Sequence, residues 1–187
     1  MSLHFYNTLT RKKEEFVPNE EGKIGIYVCG ITAYDECHIG HARSAVVFDV
    51  IYKYLKYKGY QVNYVKNFTD VDDKIIAKAN AENTDIAEIS ERFMKEHNED
   101  MDNLGVARPA IAPRATENIQ GMIRLISTLL EKELAYVVEG DVFYAIDRFE
   151  GYGKLSGRNL DDMMAGARID VDERKKNPFD FVCLLYT

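Results

Sequence analysis

The chain has 187 residues, of which 46% are hydrophobic and 29% charged, and this composition excludes a disordered, collagen-like or low-complexity protein. Its 24 Lys and Arg and 31 Asp and Glu give a formal net charge of −7, which argues against a general nucleic-acid coat but is compatible with a local basic patch for one RNA. No run of about 18 apolar residues and no signal-like N-terminus occurs, so we expect a cytoplasmic protein that does not span a membrane. Three cysteines are too few for a disulfide framework.

The first 66 residues predict a strand, a helix and a second strand. Residues 23–29 are short, rich in β-branched and aromatic side chains, and end at Gly30, which is typical of a buried strand. Residues 42–58 place Val47, Ile51, Tyr54 and Leu55 at helical spacing and predict a helix with these side chains in the core. Residues 60–66 alternate like a strand. A crossover of this length favours two parallel strands, and therefore an α/β fold with a Rossmann-like nucleotide-binding core.

The rest of the chain predicts helices and one hairpin. The candidate N-caps of three helices are Thr69 or Asp70, Thr84, and Thr116. Residues 136–146 predict a hairpin that turns at Gly140-Asp141. We therefore assign residues 1–80 to the first half of the Rossmann-like core, and residues 81–187 to an inserted region that is cut off at its C-terminal end.

The densest chemistry lies in residues 29–41, between the first strand and the first helix. Two of the four histidines, His38 and His41, stand three positions apart there. A parallel strand that ends opposite a helix N-terminus is where α/β sheets bind ligands, and the free N–H groups and positive dipole of the helix suit a phosphate. Gly40 lets the backbone approach a ligand closely. Both rings would then face one side and donate to phosphate oxygens, which predicts a nucleoside triphosphate site.

Several alternatives compete with this interpretation. Histidines near a helix start are more often solvated or structural, and the spacing of His38 and His41 could also bind a metal ion. Neither a Gly-x-Gly-x-x-Gly fingerprint nor a P-loop follows the strand. By itself, Cys29 at a strand end is typical of an inert, buried thiol. Cys37 is interpreted as a bystander.

Residues 29–41 resemble the first signature, the HIGH motif, of cysteinyl-tRNA synthetases, which are class I aminoacyl-tRNA synthetases. Further matching motifs are Phe5–Arg11, Glu14–Phe16, Asn67–Lys74, Arg114–Thr116, Gly166–Arg168, Asn177-Pro178 and Asp180–Val182. The resemblance covers nearly the whole chain. Together these motifs are far more specific than the histidine motif, which alone indicates only the wider nucleotidyl-transferring superfamily.

The resemblance implies an ATP-dependent cysteine–tRNA ligase that uses ATP with Mg²⁺ to form cysteinyl-adenylate and then transfers cysteine to tRNA(Cys). It implies that His38 and His41 are the catalytic residues and that they bind ATP together with Gly40. Their role would be to position the phosphates and stabilise charge at the α-phosphate. Little acid–base chemistry is needed, because the substrate carboxylate is already a nucleophile.

The resemblance also implies an amino-acid site. Gly30 and Thr32 would border it, and Thr69 and Asp70 are candidates for it, although helix capping explains these two equally well. Cys29 matches a ligand to Zn²⁺, which in the family also binds the substrate thiol. Zinc prefers a thiolate to a serine hydroxyl, so the metal supplies a discrimination that a hydrophobic pocket cannot.

Two parts of the family pattern are missing from this sequence. The Lys-Met-Ser-Lys-Ser loop is absent, and so are the Cys, His and Glu that complete the zinc site. Residues Cys183–Thr187 depart from the family pattern, and Cys183 is not a zinc-ligand candidate. We therefore expect an amino-terminal fragment that is inactive alone, with an unpaired sheet edge and an uncovered apolar face, from a monomeric full-length enzyme. The alternatives are a truncated, non-catalytic paralogue that binds a nucleotide or a partner, and the related ligase that joins cysteine to an amino-sugar inositol.

Overall fold

The computed structural model describes residues 2–157 and 172–184. The chain forms two compact units, one of residues 17–119 and one of residues 1–16 with 120–187. These units do not coincide with the predicted segments 1–80 and 81–187, whose boundary falls inside a helix, so the division into core and insertion stays a prediction. The Gly166–Arg168 motif and residues 185–187 of the divergent tail lie outside the described residues.

The described residues form seven strands and four helices. The strands are β1 (His4–Asn7), β2 (Lys12–Glu15), β3 (Lys23–Thr32), β4 (Gln61–Thr69), β5 (Ala135–Val138), β6 (Asp141–Tyr144) and β7 (Phe181–Leu184). The helices are α1 (Ile39–Tyr57), α2 (Asp73–Glu82), α3 (Ile86–Asn103) and α4 (Ile119–Glu131), and 3₁₀ turns lie at Thr116–Asn118 and Ile146–Arg148.

The unit of residues 17–119 is built on two parallel strands. β3 pairs with β4 from Lys23 opposite Gln61 to Thr32 opposite Thr69, and α1 is the crossover between them. This confirms the predicted α/β fold with parallel strands. On the other edge of β4, the segment 111–115 runs alongside, and the backbone N–H of Phe68 donates to the Pro113 carbonyl at 2.9 Å. The strands β3 and β4 and the segment 111–115 therefore lie side by side below α1.

Helices α2 and α3 pack at the end of β3 through one apolar cluster. Its buried members are Ala33, Ile75, Ala79, Ile89, Phe93 and Met94, and Tyr34 and Phe68 pack against them. In α1 the prediction was only partly right, because Leu55 is buried whereas Val47 and Tyr54 are 50% and 45% exposed. No described residues cover that face of the helix.

The predicted caps of α2 and α3 are wrong by one to three residues. Asp72 caps α2 by accepting the Lys74 backbone N–H at 2.9 Å, and Asp85 caps α3 by accepting the Ala87 N–H at 2.7 Å. Asp70 is not available as a cap, because both of its carboxylate oxygens bond to Thr116. The hydroxyl of Thr84 donates to Glu88 instead.

The second unit contains two small antiparallel sheets. β5 and β6 form the predicted hairpin and β7 pairs with β6, while β1 and β2 form a separate hairpin that the sequence did not predict. Asp180, which is 2% exposed, accepts hydrogen bonds from the Tyr136 hydroxyl at 2.6 Å and from the backbone N–H groups of Ile146 and Asn177 at 3.0 and 3.1 Å. This carboxylate ties the turn before β7 to the hairpin. None of the described helices is long and apolar enough to cross a membrane.

Candidate functional site

A β-bulge places Cys29 and Gly30 at the carboxyl end of β3. Val28 is opposite Lys66 and Ile31 is opposite Phe68, so two residues of β3 stand opposite Asn67 alone. The bulge shifts the strand's alternation by one residue, which buries both Val28 and Ile31 and leaves Cys29 exposed. Bulges of this kind redirect side chains beside functional sites.

Gly30 is required by the close approach of β4 at this bulge. A Cβ atom at Gly30 would lie 1.5 Å from the backbone oxygen of Asn67, which no side chain could relieve. The side-chain oxygen of Asn67 accepts the Gly30 backbone N–H at 2.7 Å and the Tyr27 hydroxyl at 3.0 Å. The backbone beside Cys29 is therefore fixed by packing and by hydrogen bonds.

The two histidines cap the N-terminus of α1 with their own rings. His38 Nδ1 accepts the backbone N–H of Gly40 at 3.0 Å, and His41 Nδ1 accepts the backbone N–H of His38 at 3.2 Å. This is a reciprocal capping box in which imidazoles replace the usual hydroxyl and carboxylate. The ring centroids lie 4.1 Å apart. A Cβ at Gly40 would lie 2.7 Å from the His38 ring, so the cap itself favours a glycine there, and the close approach of a ligand to Gly40 stays a prediction.

These bonds determine where the ring protons lie. A neutral imidazole has one donor and one acceptor nitrogen, so accepting at Nδ1 places the proton on Nε2 in both rings. Burial, the adjacent His38 ring and the charge of Lys66 lower the pKa of His41, which favours its neutral form. No described residue accepts a hydrogen bond from either Nε2–H. The cap therefore leaves two donors for a ligand.

A cavity of about 290 Å³ lies at this end of β3. It is lined by Gly30, Ile31, Thr32, Tyr34, Asp35, Glu36, His38, His41 and Lys74. Four predicted site residues, Gly30, Thr32, His38 and His41, thus border one space. Gly40, Cys29, Thr69 and Asp70 are not among its lining residues.

Thr69 and Asp70 have other contacts in the structure. The carbonyl of Thr69 accepts the Ala33 backbone N–H at 3.1 Å. Asp70 is 5% exposed and accepts the backbone N–H and the hydroxyl of Thr116 at 3.0 and 2.5 Å. Asp70 therefore joins the end of β4 to the 3₁₀ turn at Thr116–Asn118, and its substrate-binding role stays a prediction without a contact that favours it.

Lys74 is a cation in the cavity that sequence reasoning did not assign to the site. Its ammonium lies 5.0 Å from the centre of the Tyr34 ring. A signal was present, because Lys74 stands in the first turn of α2, where the helix dipole disfavours a positive charge. The signal was weak, because Asp72 and Asp73 at the same helix start already offset that charge.

Cys29 stands near the same cation as His41. The Lys66 ammonium is half-buried, and burial lowers its pKa. It interacts with the thiols of Cys29 and Cys37, and its charge also acts on His41. In residues 2–157 and 172–184, no three His, Cys, Asp or Glu side chains are grouped so that they could hold a metal ion. Cys29 by itself therefore does not form a metal site.

Cys37, interpreted from the sequence as a bystander to the chemistry, has a long-range contact in the structure. Its Sγ atom lies 3.0 Å from Nδ1 of His97, which is in α3 and 4% exposed. The two residues are 60 positions apart, so no local pattern could have revealed the pair.

Comparison with known proteins identifies the family. Residues 15–185 match the model described as tRNA synthetases class I (C) catalytic domain. The chain belongs to this family.

Curated relatives extend the match over 97% of this chain. It is 60% identical to the cysteine–tRNA ligase of Syntrophobacter fumaroxidans over 182 residues and 57% identical to that of Trichlorobacter lovleyi over 181 residues. The chain spans 37% of the length of each of these proteins. The fold is also similar to the crystal structure of a protein assigned as an arginyl tRNA synthetase of Campylobacter jejuni, with a TM-score of 0.51, 14% identity, and coverage of 70% of this chain and 39% of that one.

Proposed function

We propose that this chain is the amino-terminal part of a cysteine–tRNA ligase and supplies the phosphate-binding edge of its active site. In the whole protein, the carboxylate of cysteine attacks the α-phosphorus of ATP, pyrophosphate leaves, and cysteinyl-adenylate forms. A terminal hydroxyl of tRNA(Cys) then attacks the carbonyl carbon, and AMP leaves. The observation that carries this proposal is the reciprocal imidazole cap, which leaves an Nε2–H donor on both His38 and His41 beside one cavity.

The phosphates of ATP would lie against the N-terminus of α1. His38 and His41 would donate to oxygens on which negative charge increases as the α-phosphorus is attacked, and neutral rings with fixed protons need no rearrangement to do so. The Lys74 ammonium lines the same cavity and would offset part of the triphosphate charge. Mg²⁺ would accompany the nucleotide. Both histidines thus act by positioning and electrostatics rather than by proton transfer.

Cysteine itself would bind next to the bulge of β3, where Gly30 and Thr32 line the cavity. Cys29 precedes Gly30 and is exposed, so its thiolate would be one ligand to Zn²⁺ in the whole protein. The described residues provide no further ligands around it and do not fit a zinc site by themselves. Thr69 and Asp70 remain candidates for the amino-acid site, and no step of this mechanism depends on them.

The test is cysteine-dependent exchange of pyrophosphate into ATP by the full-length protein. We expect exchange with cysteine and not with serine, and a loss of about a hundredfold in His41→Ala. His4→Ala is the matched control, because His4 is an exposed histidine in β1 outside the cavity. Full exchange in His41→Ala would remove the proposed role of the cap.

Acceptor specificity separates this proposal from its alternatives. The proposal requires cysteine to be transferred to tRNA(Cys). Transfer to an amino-sugar inositol would instead identify the related ligase, and the absence of any cysteine-dependent exchange in the full-length protein would favour a non-catalytic paralogue.

A further inference from the structure

Cys37 links the start of α1 to a helix that is distant in sequence. It immediately precedes His38, and its half-buried thiol lies 3.0 Å from Nδ1 of His97. His97 is buried, and the ring of Phe68 meets its ring edge-on, with centroids 5.8 Å apart and an interplanar angle of 87°. The acceptor nitrogen is therefore held by packing from β4 as well as by α3 itself.

Burial leaves both partners of this hydrogen bond uncharged. Burial and the charge of Lys66 lower the pKa of His97 to about 4, so its ring is neutral at physiological pH. Burial raises the pKa of the Cys37 thiol, so the sulfur keeps its proton. With both groups neutral, the tautomer of His97 sets the direction of the bond: a proton on Nε2 leaves Nδ1 free to accept the S–H of Cys37.

The segment before the cap is anchored at Ala33 and Tyr34, which pack in the apolar cluster, and at Asp35. The backbone N–H of Ala33 bonds to Thr69 at 3.1 Å, and Asp35 pairs with Lys78 at 3.0 Å with its carboxylate exposed. Cys37 supplies the next contact, directly before the residue whose backbone N–H and ring form the imidazole cap. A shift at Cys37 would therefore move the His38 ring and, through the reciprocal bond, the His41 ring.

We propose that Cys37 is a positioning residue whose S–H bond to His97 fixes the direction of the two imidazole donors toward the phosphates of ATP. This inference rests on the proposed function for its catalytic consequence, whereas the hydrogen bond itself does not. A donor is required at this position, so a serine hydroxyl should replace the thiol and an alanine should not.

The kinetic test compares Cys37→Ser and Cys37→Ala in the full-length protein by pyrophosphate exchange. Loss of the bond should lower kcat/KM for ATP about tenfold in Cys37→Ala, because misplaced groups lose much of their effect, while Cys37→Ser stays within about twofold of the unmodified protein. Cys183→Ala is the matched control, since Cys183 is also a partly buried thiol but lies in β7. Equal rates in Cys37→Ala and the unmodified protein, or equal losses in both variants, would overturn the proposal.

Nitrogen NMR of the histidine rings tests the bond without any activity. In the unmodified 187-residue chain, His97 should show the Nε2–H tautomer with a hydrogen-bonded Nδ1, and Cys37→Ala should shift the ring signals of His38 and His41. An Nδ1–H tautomer of His97 would overturn the proposal even if Cys37→Ala failed to fold. If the full-length protein shows no exchange, the proposed function fails, and the ring signals still decide whether Cys37 positions the cap.

Discussion

The imidazole cap of α1 and the Asp180 carboxylate use hydrogen bonds in opposite ways. Both belong to motifs that carry the family resemblance. Each ring of the cap accepts one backbone N–H and keeps a second nitrogen for donation, whereas Asp180 accepts three hydrogen bonds and is almost completely buried. A group whose bonding capacity is filled stabilises the fold, and one that retains a donor beside a cavity can act on a ligand. Counting hydrogen bonds thus distinguishes Asp180, whose capacity is filled, from His38 and His41, which keep a donor for the proposed ligand.

The largest effect on stability should come from Gly30, at the bulge of β3. In Gly30→Ala the new Cβ would meet the backbone of Asn67 at 1.5 Å, so the bulge must break, and we expect a loss of more than about 5 kcal/mol in the free energy of unfolding. Gly25→Ala is the matched control in the same strand, because nothing lies within 4 Å of its Cβ position. That variant should gain about 0.5 kcal/mol. Urea unfolding measures both, and a folded Gly30→Ala chain of normal stability would contradict the described bulge.

The next largest effect is expected at Asp180, whose carboxylate accepts three hydrogen bonds. Asp180→Ala leaves the Tyr136 hydroxyl, the buried backbone N–H of Ile146 and the partly buried backbone N–H of Asn177 without their acceptor, so the free energy of unfolding should fall by about 4 kcal/mol. Asp147→Ala is the control, because Asp147 also bonds to Asn177, at 2.7 Å, but is exposed. It should lose less than about 1 kcal/mol. Equal losses of stability in Asp180→Ala and Asp147→Ala would mean that the burial and the three hydrogen bonds of Asp180 stabilise the fold no more than an exposed carboxylate does.

Local periodicity predicted the parallel strands, the crossover helix and the hairpin, because each pattern is complete within a few residues. It missed β1 and β2, since Lys12–Glu15 has four charged residues and becomes a strand only by pairing with His4–Asn7. The edge-on contact of the Phe5 and Phe16 rings, with centroids 5.4 Å apart, closes that hairpin. Local periodicity also missed β7, because β7 becomes a strand only by pairing with β6, which lies about forty residues earlier.

For the candidate site, the sequence predicted what depends on position along the chain, namely that His38 and His41 lie at the start of α1. The histidine pair was found because it follows a strand and opens a helix. The choice of Asp72 over Asp70 as a cap was not predictable, because it depends on Thr116, 46 residues from Asp70. The bulge at Cys29 likewise depends on Asn67. Long-range contacts, which have no local sequence signal, decided these details.

A substitution at His38 can separate the ring's role as a helix cap from its role as a hydrogen-bond donor. In His38→Asn the amide oxygen can still accept the Gly40 N–H, but no Nε2–H remains. We expect pyrophosphate exchange by the full-length protein to fall about a hundredfold, with the free energy of unfolding unchanged within about 0.5 kcal/mol. His38→Ala should lose the same activity and about 1 kcal/mol of stability as well. Full activity in His38→Asn would show that the ring only caps.

The last effect appears only at acidic pH and concerns His97, a buried ring that is structural like Asp180 but lies beside the cap. Its pKa is lowered from 6.5 to about 4, so the unfolded chain binds this proton first as the pH falls. Stability should therefore be complete above about pH 6.5 and fall by about 2 to 3 kcal/mol toward pH 4. Urea unfolding of the unmodified chain and His97→Gln at several pH values isolates this contribution from that of the carboxylates. His97→Gln should lose less stability over this range, and His4→Gln, which changes an exposed histidine, should follow the unmodified chain. Parallel pH profiles for the unmodified chain and His97→Gln would mean that His97 is protonated as readily in the folded chain as in the unfolded one, and the thiol would then have no neutral acceptor at mildly acidic pH.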